Sequence, residues 1–243
     1  MNKTQLTDFI TKYTLGGEIK STKWTSNGNS LSTRFISGDK SVVGKVELSK
    51  FNHLSPCELG VYNTGQLSSL LSVLGDDVEV SLSQSGDKFI SMEFEDTNRK
   101  TKSKYMLSDL SVIPTPPALK NLPDTFELGI KVDAYFINTF ISGKGALAEA
   151  ETFTILTENN ETKIVIGYAS IASNRVTIPV ETTKYQDIEP ISFNANMFAS
   201  ILNANKDCES ATLEVSSAGL SRIQFSIDNY NSEYFLVSTQ AVN

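Results

Sequence analysis

The chain repeats itself once at long range, and this constrains its fold more than any other feature. Tyr62-Asn-Thr-Gly-Gln-Leu-Ser-Ser-Leu-Leu-Ser-Val73 is echoed by Phe193-Asn-Ala-Asn-Met-Phe-Ala-Ser-Ile-Leu-Asn-Ala204, in each case an aromatic, then Asn, then apolar residues at matching positions. The match continues downstream. Val78-Glu-Val80 is answered by Leu213-Glu-Val215, a turn glycine follows in each copy (Gly86 and Gly219), and Ser103-Lys-Tyr-Met-Leu107 is answered by Ser232-Glu-Tyr-Phe-Leu236. Upstream, Phe9-Ile-Thr-Lys-Tyr13 has its partner in Phe136-Ile-Asn-Thr-Phe140. A period this long belongs to two similar domains in tandem, not to a solenoid of short units. With 243 residues, 40% of them hydrophobic, each half can bury a core of its own.

Periodicity fills in the halves. Leu6, Phe9, Ile10 and Tyr13 predict a helix over about residues 3–14, stopped by Gly16-Gly17. Asn63 can cap a second helix carrying Leu67, Leu70, Leu71 and Leu74 and ending at Gly75. Asp133 can cap a third, with Phe136, Ile137 and Phe140 before Gly143, and Asn194 a fourth, with Phe198, Ile201 and Leu202. Alternating segments such as Val42–Leu48, Lys163–Ile166 and Thr212–Val215 read as strands, separated by turn signals that include Asn27-Gly28 and Glu158-Asn-Asn160. Each half is therefore helix, strands, helix, strands.

Four of the seven prolines fall between residues 108 and 124, so this stretch cannot continue a helix or a central strand. The expected division is a domain over 1–109, a connector over 110–124 and a second domain over 125–243. Val112, Ile113, Leu119 and Leu122 are more apolar than a solvated tether needs. They are expected either to border a groove for partner peptides or to pack the connector onto a sheet.

Chemistry is sparse. His53 is the only histidine, and Cys57 and Cys208 have no metal-ligand spacing, so no triad or His/Cys zinc cluster is expected and both cysteines read as reduced thiols. No P-loop, dinucleotide fingerprint or nucleophile elbow is present. Gly143-Lys-Gly145 follows a helix instead of a strand, and Asp76-Asp77 and Glu93/Glu95/Asp96 read as solvated faces. No apolar run is long enough for a membrane helix, and the N-terminus lacks the order of a signal peptide. The net charge of −7 argues against a surface that coats nucleic acid throughout, without excluding a local basic face. The bias is uneven: 14 cations face 13 carboxylates up to residue 120, and 7 face 15 after it. Drift on solvated faces accounts for such a difference, and opposite bias would also suit halves that meet head to tail between subunits.

Val61-Tyr-Asn-Thr-Gly-Gln-Leu-Ser-Ser-Leu-Leu-Ser-Val-Leu-Gly-Asp-Asp-Val-Glu-Val80, together with the Pro-rich connector, resembles the DNA polymerase sliding clamps of the T-even-type tailed bacteriophages. The resemblance implies an α+β DNA-clamp fold, two similar domains per chain each with two helices packed on antiparallel sheet, and a trimeric pseudo-sixfold ring. It implies no enzyme activity, no cofactor and no metal. Its implied partners are encircled double-stranded DNA, a replicative DNA polymerase, an ATP-dependent clamp loader and two further copies of the chain, in the cytoplasm of an infected bacterial host. Lys3, Lys12, Lys131, Lys144 and Lys206 would then face DNA, beside the small polar faces Gln66/Ser68/Ser69/Ser72 and Ala199/Ser200/Asn203. Val112, Ile113, Leu119 and Leu122 would border the partner site. Two other readings remain open at this point: a β-rich structural or assembly protein of a virus, and a carboxylate-dependent enzyme built on Asp76 or Asp77.

Overall fold

The computed structural model describes residues 1–118, 122–123, 125–169 and 174–239. These form two compact units. The first comprises Met1–Ile36, Gly44–Pro117 and Asp228–Ser232, and the second Ser37–Val43, Ala118–Ile227 and Glu233–Asn243. The units are thus not two uninterrupted halves of the chain, because each takes in a short segment from the other's stretch of sequence.

In the first unit, α1 (Lys3–Thr14) is capped by Asn2, whose side chain accepts from the Thr4 amide, and it buries Leu6, Phe9, Ile10 and Tyr13. It ends where Leu15 and Gly16 take left-handed conformations, at φ 47° and 72°. Strands β1 (Thr22–Ser26), β2 (Ser30–Ile36), β3 (Val42–Ser49) and β4 (Cys57–Val61) pair in the order β3-β2-β1-β4. Helix α2 (Thr64–Ser72) follows, capped by Asn63 through the Gln66 amide. It stops at Ser72, short of Gly75, whose amide instead donates to Asp96 at 2.7 Å. A meander of β5 (Val78–Ser85), β6 (Lys88–Asp96) and β7 (Lys102–Met106) completes the unit as a separate antiparallel sheet.

The second unit repeats this plan with two added strands, β8 (Leu128–Asp133) and β12 (Thr182–Lys184). β8 leads into α3 (Ala134–Ala146), capped by Asp133. The corresponding place before α1 holds only Asn2, which bridges to Asp77. β9 (Thr152–Glu158), β10 (Glu161–Ile166), β11 (Val176–Val180) and β13 (Ile191–Asn194) form a sheet in the order β11-β10-β9-β13, and β12 (Thr182–Lys184) pairs with β8. Helix α4 (Ala195–Ala204), capped by Asn194, precedes the meander β14 (Ser210–Ser216), β15 (Leu220–Ile227) and β16 (Tyr230–Val237). The repeated sequence therefore falls on corresponding elements, α2 with α4 and β5–β7 with β14–β16.

One expectation is corrected. Helix α3 does not end before Gly143 but continues through Gly143-Lys-Gly145 to Ala146. A side chain at Gly143 would lie 3.1 Å from Val176 Cγ1 and 3.3 Å from Ile166 Cδ1. The glycine lets the helix approach the β10–β11 sheet and is not a terminator.

Each unit is held by an aromatic cluster behind its helix pair. In the first, Phe9, Tyr13 and Trp24 meet edge to face at 5.5–6.3 Å. Trp24 Nε1 donates to the Tyr13 hydroxyl at 3.2 Å, satisfying a buried polar atom that would otherwise cost stability. In the second, Phe153 and Phe140 each approach Phe198 at 4.9 Å, joining α3 and α4 to the sheet beneath.

Candidate nucleic-acid interface

The four helices carry almost none of the chain's acid. Among the described Asp and Glu residues, Asp8 alone lies in a helix, so the helical surfaces are spared the charge that would repel phosphate. Their exposed positions are mostly small and neutral: Thr4 and Thr11 on α1, Gln66, Ser69 and Ser72 on α2, Asn138 and Ser142 on α3, Asn196 and Asn203 on α4. Several hydroxyls turn back on their own helix. Thr11 Oγ1 donates to Thr7 O at 2.9 Å, Ser69 Oγ to Gly65 O at 3.0 Å and Ser72 Oγ to Ser69 O at 2.7 Å. Asn138, Ser142 and Asn196 were not singled out in the sequence. Their spacing opposite the buried Phe136, Ile137, Phe140, Met197 and Phe198 is the signal that identifies them.

The five lysines fare differently. Lys206 is exposed just beyond α4, with no partner found among the described residues. Lys3 is half-buried and its ammonium donates to Leu74 O at 2.5 Å, closing the end of α2. Lys131 on β8 is paired with Glu181 at 2.8 Å and Asp133 at 3.6 Å, and Glu181 above all raises its pKa. Two expectations are corrected. Lys12 is only 6% exposed, with its ammonium 5.2 Å above the Tyr230 ring. Lys144 is 8% exposed and donates to Ala148 O at 2.8 Å, capping the carbonyl end of α3. Both charges are engaged inside their own unit and are not presented to a ligand.

The connector residues also divide. Val112 is exposed at the end of a 3₁₀ turn, Leu110–Val112, that Asp109 caps through the Ser111 amide. Ile113 is corrected from a presented residue to a packing one: it is 3% exposed and lies against Gly60. Leu122 is partly exposed, and Leu119 lies outside the described residues. Arg34 Nη2 donates to Pro117 O at 2.8 Å, which ties this segment to the first unit.

Among the described residues no group of three or more His, Cys, Asp or Glu could hold a metal ion. Nor is any helix long and apolar enough to cross a membrane. His53 stacks edge-on with Phe51 at 5.2 Å, and partial burial lowers its pKa. Asp76 and Asp77 use their backbone carbonyls to accept from the amides of Lys3 and Thr97.

No protein-family model matches the chain, and no curated protein matches it. Among solved structures, the crystal structure of proliferating cellular nuclear antigen from Entamoeba histolytica matches with a TM-score of 0.75, covering 98% of this chain and 96% of that one. The fold is that of a DNA clamp. Sequence identity is 13%, so the likeness extends to the course of the backbone and the order of elements and not to individual side chains.

Proposed function

We propose that the chain is a sliding clamp of the T-even-phage type, a homotrimer closed head to tail around double-stranded DNA that tethers a replicative polymerase. The observation that carries the proposal is the clamp fold over nearly the whole chain. Two edges support closure. β7 is the last strand of β5-β6-β7 and β11 the last of β11-β10-β9-β13. Pro179 can sit in β11 because the missing N–H of an edge strand faces away from its partner β10. Pairing β7 of one copy with β11 of the next would cover both edges, which are otherwise templates for uncontrolled association. Three copies place six similar units in the ring.

Topology, not contact energy, then holds the DNA. The helices would meet phosphate through small polar groups, with Lys206, Lys3 and Lys131 as the cations nearest to hand. Such contacts are weak, sequence-independent and easily exchanged, so the ring slides. A polymerase bound to the ring stays at high effective concentration near the primer end after each release. The clamp itself breaks no bond and needs no cofactor. An ATP-dependent loader opens it, and its place of work is the cytoplasm of an infected bacterium. Val112 and Leu122, with Leu119, supply the apolar contacts for the polymerase.

The test is topological. In a Cys57→Ser background, Met106→Cys and Thr177→Cys place one thiol on each edge. Diluted subunits are concentrated with nicked circular plasmid and joined by a short bis-maleimide. Denaturant-resistant rings should remain on the circle through a high-salt wash and be lost when the circle is linearised. Equal retention on linear DNA would show ordinary binding and not encirclement.

A further inference from the structure

Two sheet edges in the first unit come close without meeting, and residues 107–108 close only part of the gap. The Leu107 amide donates to Ile90 O of β6 at 2.9 Å, and the next amide, Ser108, donates to Gly60 O of β4 at 2.9 Å. Consecutive residues just past β7 thus bond to two different sheets. This needs a glycine at position 60, because a methyl group there would fall 2.3 Å from Ser108 O. Beyond Ser108 the chain leaves the gap for its Asp109-capped turn. What stays open is a slot of about 430 Å³ whose walls include Glu58, Phe89, Ile90, Leu107 and Leu110.

The slot has both parts of a strand-addition site. Because Gly60 bonds outward from β1, Glu58, two residues away on the same strand, turns its own N–H and C=O to the same open side. No hydrogen-bond partner on that side is found for them among the described residues. An added strand could take up these groups, while Phe89, Ile90, Leu107 and Leu110 receive an alternate side chain. Ile90 is 38% exposed, unusual for an isoleucine with nothing bound over it. Charge selects the occupant. Lys88 is the only cation in the lining among the described residues, and its ammonium lies 2.6 Å from Asp109. Glu58 and Asp87 have no ion-pair partner among the described residues, so the rim is net acidic.

We propose that this slot binds an extended peptide segment of a partner protein, basic at its flanks, which adds as a strand beside Glu58 and buries one large apolar side chain against Phe89, Ile90 and Leu110. The site uses none of Val112, Ile113, Leu119 or Leu122, so it is a second docking surface and stands whether or not the chain closes a ring.

The probe is an acetylated, amidated hexapeptide alternating lysine with valine and carrying one central phenylalanine, titrated into the ¹⁵N-labelled full chain. Amide shifts at Glu58, Lys88–Ile90, Leu107 and Leu110 should saturate together. An otherwise identical peptide with glutamate for lysine should bind at least tenfold more weakly. So should the basic peptide after N-methylation of the amides on one edge, since a methylated edge cannot complete a ladder. Ile90→Asp, at an exposed position, should lower affinity at least tenfold with spectral dispersion intact. Leu110→Asp serves as the second variant should Ile90→Asp disturb the fold. Absence of saturable shifts, shifts centred elsewhere, equal binding of the acidic or methylated peptides, or indifference to these substitutions would each overturn the proposal. Sedimentation of the same samples reports ring assembly separately, so loss of one reading is distinguishable from loss of the other.

Discussion

Tyr13 is fully buried, yet its hydroxyl works in two directions, accepting from Trp24 Nε1 at 3.2 Å and lying 3.4 Å from Thr64 Oγ1. Burial drives its pKa well above the ordinary tyrosine value. Tyr13→Phe keeps the ring and strands the indole N–H, an unsatisfied buried donor that costs about 1–3 kcal/mol. The urea midpoint should fall accordingly, followed by the fluorescence of Trp24, the chain's only tryptophan. Asp96 makes a pH prediction. Hydrogen bonds from the Arg99, Gly75 and Asn98 amides hold its carboxyl below the usual range. A folded pKa below the unfolded one contributes stability in full above about pH 3.9 and loses it as pH falls through the lowered value. Asp96→Asn should therefore lose less stability between pH 7 and pH 3 than the parent does, measured as the change in urea midpoint. Equal losses would remove Asp96 from the acid response. The lysines mark where sequence reading stops. Spacing places Lys12 on its helix but Lys144 just beyond one, whereas α3 runs on through it to Ala146, and a long flexible stem ends wherever its ammonium finds a partner. For Lys12 that place is the ring of Tyr230, distant in sequence, and for Lys144 it is a pair of carbonyls created by the helix end itself.

Among the elements, the helices were legible because a 3.6-residue apolar period and an Asn or Asp cap are local signals. Asn63, Asp133 and Asn194 each cap the helix they precede. Gly143 was misread because a glycine that ends a helix and one that lets it approach a sheet look alike in sequence. Only the neighbours Val176 and Ile166 distinguish them. The slot beside Glu58 left no sequence trace, since it arises from an interrupted ladder between strands remote in the chain. The edges are equally non-local, and they make a prediction. Leu107, just past β7, and the β7 residues alternating with it bond to β6, so Met106 turns its amide outward. Met106→Pro removes one outward donor and leaves the β6 ladder untouched. It should weaken self-association at least tenfold while the thermal midpoint of the dissociated chain stays within a few degrees, as read by sedimentation and circular dichroism. Unchanged association would place the interface elsewhere.

For the whole molecule, the decisive pattern is the separation of acid from helix. A chain of net charge −7 that keeps all but one of its described carboxylates off its helices can present a nearly neutral lining without being basic. Replacing Lys3, Lys131 and Lys206 together by Gln should lower DNA retention and flatten its salt dependence, by a log–log slope of about 0.9 for each phosphate that is no longer neutralised. Lys144→Gln, whose charge caps a helix, should lower the melting temperature and leave the salt slope alone. A triple variant with the parent's salt slope would take these lysines out of the DNA interface. The tandem repeat foretold two similar units, and the clamp fold carries them. Segment exchange between the units could not be read in the same way, because it depends on which strands pair across the full length of the chain. The proposed closure of three chains into one ring is the central claim, and sedimentation equilibrium over a wide concentration range probes it without intermediaries. The expected result is a species approaching three times the 26.6 kDa chain mass. A chain that remains monomeric at every concentration, with and without DNA, would refute the ring.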